Sequence, residues 1–112
     1  MLQGHFDQLL DRRIEATRSV LASKNAEYSS GTDRLHNFKA AAHLALKPIT
    51  PEQALWGMLR KHLVSILDMV EGDKPLPDKP TRSEKIGDAI NYLILLEALL
   101  EDRASAAANI GE

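Results

Sequence analysis

The chain has 112 residues, 44% of them apolar and 27% charged, with a formal net charge of −2; this is the usage of one ordinary globular domain. The near balance of charge gives no overall basic field for nucleic acid, and the lack of cysteine excludes disulfides, thiolate metal sites and a cysteine nucleophile. The first residues, MLQGHFDQLL, lack the basic and apolar regions of a secretory leader, and no apolar run approaches the roughly 20 residues needed to cross a bilayer, so a cytoplasmic protein is expected.

Residues 4–24 read as an amphipathic helix. Phe6, Leu9, Leu10, Ile14, Thr17, Val20 and Leu21 recur at spacings of three and four, while Asp11, Arg12, Glu15 and Arg18 take the other face. The turn signal Ser29-Ser30-Gly31 follows, with the helix end expected near Lys24–Asn25. Thr32 or Asp33 caps a second helix over 33–46, with Leu35, Phe38, Ala41, Ala42 and Ala45 inward and Pro48 as its stop. Thr50-Pro51-Glu52-Gln53 starts the third helix, with a capping hydroxyl, a proline at the first helical position and a glutamine three residues after the cap. It is expected to run to about Val70, with Gly72 just past its end. Leu55, Leu59, Leu63, Ile66, Leu67 and Val70 form its inner face, and Trp56 reads as core or subunit interface.

Residues 72–81 hold three prolines and are expected to be irregular. Thr81-Arg82-Ser83-Glu84 matches a capping box for a fourth helix ending near Arg103, and residues 105–112 are expected to form a flexible tail. The expected fold is all-α: a single four-helix domain over residues 1–104. The fourth helix is apolar almost all round, which calls for burial that one small subunit does not easily supply. A homo-oligomer, dimer or higher, is therefore expected to complete the bundle.

Two groups of polar residues carry candidate chemistry. Glu84, Asp88 and Asn91 fall on one face of the fourth helix. If the third and fourth helices are antiparallel neighbours, Asp68 approaches Glu84 and Asp88, while Lys61 and His62 approach Asn91 and Tyr92. Three carboxylates so placed suit Mg²⁺, a hard cation that takes oxygen ligands and keeps water or phosphate in its sphere. The same residues also suit a structural seam in which Lys61 or His62 pairs with Asp88. The second group is Lys24, Asn25, Tyr28, Arg34, His36, Asn37 and Lys39. Its cations suit phosphate, its asparagines base edges and its tyrosine stacking; ordinary turn chemistry explains it equally well. No glycine-rich phosphate loop, HExxH or GxSxG is present, and no catalytic residue is assigned.

Lys24–Ala42, Leu59–Gly72 and Glu84–Leu96 together resemble a family of small phage and prophage proteins related to nucleotide-modification-associated domains. The shared pattern is a Lys-Asn…Tyr stretch, Asn-Phe-Lys, Lys-His-x-x-Ser and Glu-Lys-x-x-Asp-x-x-Asn-Tyr-Leu, covering about residues 6–102. Glu84-Lys85-Ile86-Gly87-Asp88 is more distantly similar to the Glu-Glu-Leu-Gly-Asp motif of MazG-type all-α nucleoside triphosphate pyrophosphohydrolases. That likeness implies a MazG-like bundle in which Asp88 matches a metal-binding aspartate. Lys85 stands where the family has a second glutamate ligand, and the family's Glu-x-x-Glu on the preceding helix has no counterpart.

The resemblance implies a helical protein, in a phage-infected cell's cytoplasm, that binds a nucleotide-like molecule. Asp68, Glu84 and Asp88 would hold Mg²⁺, and the loop group with Lys61, His62 and Asn91 would face the nucleotide. Three roles follow: a hydrolase of (d)NTPs or nucleotide derivatives, a non-catalytic nucleotide-sequestering or counter-defence protein, and a structural oligomer without a small-molecule site.

Overall fold

The computed structural model describes residues 1–28, 33 and 35–110, except for the side chains of 23–28, 109 and 110. Its described elements are α1 (Gln3–Tyr28), α2 (His36–His43), α3 (Pro51–Glu71) and α4 (Lys79–Ile110), with no strand among them. The fold is an all-α helical bundle, as the 3.6-residue periodicity requires. No described helix is long and apolar enough to cross a membrane.

The boundaries follow the caps. Thr50 Oγ1 accepts from the Gln53 N–H at 3.1 Å, and Gln53 Oε1 accepts from the Thr50 N–H at 2.9 Å. This closes the expected capping box of α3. Gly72 ends α3 with φ 76°, a left-handed conformation that favours glycine. The start of α4 lies earlier than Thr81-Arg82-Ser83-Glu84 suggests. Asp78 accepts from the Thr81 N–H at 3.0 Å and takes the capping role. Pro80 is then accommodated in the first turn, where no backbone donor is needed.

Two further ends move outwards, α1 to Tyr28 and α4 to Ile110. The alanine-rich stretch after Arg103 has high helix propensity and continues the helix across most of the expected tail. By contrast α2 is shorter than expected. Asp33 bonds the Leu35 N–H at 2.9 Å in a local turn instead of capping the helix, and α2 has no side-chain cap.

The packing is centred on an antiparallel α3–α4 hairpin. His62 faces Asp88 and Tyr92, and Arg103 reaches Glu52 at 3.9 Å, so descending α3 matches ascending α4. α2 packs chiefly against α3, and α1 against α4. Leu35, Phe38, Leu55, Leu59, Ala89 and Leu99 form the described buried core.

That core is thinner than the periodicity suggests. Phe6, Leu9, Leu10 and Ile14 of α1 are exposed, as are Leu63, Leu67 and Val70 of α3 and Leu93, Ile94 and Leu100 of α4. An all-round apolar helix is buried only where neighbours surround it, and α4 has one on two flanks. The molecule is correspondingly open. Its radius of gyration is 16.9 Å, with extents of 52 × 30 × 27 Å; a compact chain of this length has about 13 Å.

Candidate functional site

Between α3 and α4 the expected polar seam is present. His62 Nδ1 stands 3.7 Å from Asp88 Oδ2, and the His62 ring lies 5.0 Å from Tyr92, which in turn meets Phe38 edge-on at 6.3 Å. Asn91 Oδ1 is buried beside this seam without a hydrogen-bond partner. Lys61 is exposed and Ser65 Oγ turns back to the Lys61 carbonyl at 3.5 Å. The fold therefore places His62 beside Asp88, at a separation longer than a hydrogen bond.

The metal arrangement is not assembled within one chain. Among the described residues no group of three or more histidine, aspartate or glutamate side chains gathers to hold a metal ion. Asp68 and Glu84 are exposed, and Asp88 turns to His62.

The loop group divides as well. The side chains of Lys24, Asn25 and Tyr28, and all of Arg34, lie outside the described residues. His36 and Asn37 are exposed at the start of α2. Lys39 is already engaged, 2.8 Å from Asp33 Oδ2 and 3.0 Å from Asp102 Oδ2. The hydrogen bond from Lys39, helped by the Leu35 N–H, holds the Asp33 carboxyl below its ordinary range. Asp33, then Asp102, raise the Lys39 ammonium above its own. A lysine flanked by two carboxylates is a clasp between α2 and α4, and a poor phosphate ligand. It also lies towards the far end of α4 from Glu84, so the two expected groups do not merge.

A different cationic group forms between α1 and α4. Arg12, Arg13, Lys79 and Arg82 line a groove of about 430 Å³ whose wall includes Leu9 and Ile90. Arg13 Nη2 donates to both the Ser83 carbonyl and Ser83 Oγ at 2.9 Å. Gly87 makes room for this: a Cβ there would meet the Arg13 guanidinium. Arg12 and Arg82 donate to the Gln8 and Pro77 carbonyls. Among the described residues none of the four cations forms an ion pair. Asp78, the carboxylate whose charge reaches Arg82, is held by Thr81, whose side chain and N–H keep its pKa low. A second groove of about 720 Å³ shares Arg13 and Ile90 and continues along Ile14, Thr17 and Ile94. Thr17 Oγ1 is buried there without a partner.

Arg12 is exposed, as its place on the polar face of α1 implies, and periodicity within α1 carries no sign of the cations that α4 brings beside it. The available signal was the Arg12-Arg13 doublet, yet its partners stand about seventy residues away. Comparison of the chain with protein-family models, with curated proteins and with solved structures finds no match.

Proposed function

We propose that this protein binds a phosphorylated small molecule of the nucleotide class, held along the α1–α4 groove. The supporting observation is the convergence of Arg12, Arg13, Lys79 and Arg82, none of them in a contact ion pair among the described residues, at one end of an apolar groove. Guanidinium groups match phosphate oxygens in charge and in fork geometry. The apolar stretch of Ile14, Ile90 and Ile94 suits a base or another flat apolar body. The role favoured is binding or sequestration: the lining hydroxyls, Ser83 and Thr17, have no histidine or carboxylate beside them in the lining to activate them. The hydrolase role, with Mg²⁺ brought by the nucleotide, is the alternative outcome of the same assay.

The test is calorimetric titration and thermal shift with inorganic phosphate, pyrophosphate, nucleoside monophosphates and (d)NTPs, with Mg²⁺ present and product release followed in parallel. Binding should strengthen with phosphate number and weaken with salt. Arg12→Ala with Arg82→Ala should lower affinity at least tenfold, since charged hydrogen bonds contribute about 1.5–3 kcal/mol each when desolvated. Absence of any shift across the panel overturns the proposal, and release of pyrophosphate establishes turnover.

A further inference from the structure

The uncovered apolar residues of the α3–α4 hairpin are ordered. On α3, Trp56, Leu63 and Val70 recur every seven residues, and on α4 so do Ile86, Leu93 and Leu100; all six are between 38% and 75% exposed. The pairings of His62 with Asp88 and of Glu52 with Arg103 set the antiparallel register. His62 lies between the levels of Asp88 and Tyr92, so Leu63 stands near the level of Ala89, and each residue of the α4 stripe lies about one turn beyond its α3 counterpart. Taking 100° per residue from the buried line of each helix, both stripes turn to the same side of the hairpin. They form two staggered apolar stripes, each repeating at roughly 10.5 Å.

We infer that this face is the interface with a second copy of the chain. The accessible surface is 8519 Å², whereas a folded monomer of this mass exposes about 6,100 Å². The excess, about 2,400 Å² per chain, is spread over an open molecule, and the uncovered hairpin face is one part of it; a specific dimer needs about 800 Å² from each partner. A seven-residue repeat is the spacing at which helices pack along a shared seam at about 20°. The charges at the edge favour self-pairing: Arg60 flanks the α3 stripe and Glu97 flanks the α4 stripe, both exposed. A two-fold axis parallel to the helices lays α3 over the α4 of its mate, joining the stripes into a four-helix core and bringing each Arg60 towards an opposing Glu97.

Sedimentation equilibrium of the full chain from about 1 to 100 µM tests this. A mass of twice 12.4 kDa is expected. Leu63→Glu with Leu93→Glu should yield a monomer with helical circular dichroism retained, while Leu46→Glu, at an exposed leucine outside the face, should leave the dimer intact. Arg60→Glu, a surface change that spares folding, should weaken the dimer about tenfold, and Glu97→Arg added to it should restore the affinity. Trp56, the sole tryptophan, should emit at shorter wavelength in the dimer than in the Leu63→Glu/Leu93→Glu monomer. A wild-type monomer at 100 µM overturns the inference, as does a dimer that survives the double glutamate change or ignores Arg60→Glu.

Discussion

At the scale of single residues, Lys39 illustrates how position decides chemistry. It lies within a stretch rich in side chains of the types that contact nucleotides, yet its ammonium clasps Asp33 and Asp102. The pH dependence follows from the two shifts. Asp33 has a lowered folded pKa, so its contribution is present above the unfolded carboxylate value of about 3.9 and fades as pH falls through the lower folded value. Lys39 has a raised folded pKa, so its contribution is present below about 10.4 and is lost as pH rises through the folded value. The melting-temperature difference between wild type and Lys39→Met should therefore hold steady from about pH 5 to 9 and shrink outside that window. A difference that persists unchanged into strong acid contradicts the clasp. Sequence alone showed Lys39 among polar neighbours; Asp102, its second partner, is distant in the chain and became visible only in the fold.

At the scale of elements, the caps and glycines make separable predictions. Thr50→Ala removes one half of the α3 capping box and should cost about 1 kcal/mol, or about 4–8 °C in melting temperature for a small domain. Gly57 of α3 has open space around it, so Gly57→Ala should stabilise by about 0.5–1 kcal/mol through helix propensity and unfolded-chain entropy. Gly87 is the contrasting case. A methyl there displaces the Arg13 guanidinium, the flexible end of a side chain, while the α4 backbone gains propensity. Gly87→Ala should therefore loosen α1 without melting α4. Hydrogen exchange should accelerate in α1 alone; equal acceleration in both helices contradicts this account. The helices and the Thr50 cap were legible in the sequence, because caps are read from adjacent residues. The start of α4 was not, because Asp78 and Thr81 offer competing caps and Pro80 does not forbid a first turn.

At the scale of the whole molecule, a small core carries much of the stability. Leu55 and Leu59 are fully buried, and Leu59→Ala should cost about 2–5 kcal/mol. That is a large share of the 5–15 kcal/mol typical of a domain, and urea denaturation should read it directly. If the hairpin face is covered by a second copy, the wild-type melting temperature should rise with protein concentration, because association stabilises the native state by mass action. The Leu63→Glu/Leu93→Glu variant should lose that dependence.

The sequence by itself determined that the chain is helical, where α3 begins and ends, and which residues of each helix are apolar. It also offered Lys61 or His62 as the neighbour of Asp88, and the fold places His62 there. Only the tertiary structure decided which apolar stripes are covered, that Asp68, Glu84 and Asp88 stay apart, and that Arg12 and Arg13 meet Lys79 and Arg82. The reason is physical. Periodicity specifies the angle at which a side chain leaves its own helix, whereas burial and charge pairing depend on how many neighbours surround that helix and on which side they stand.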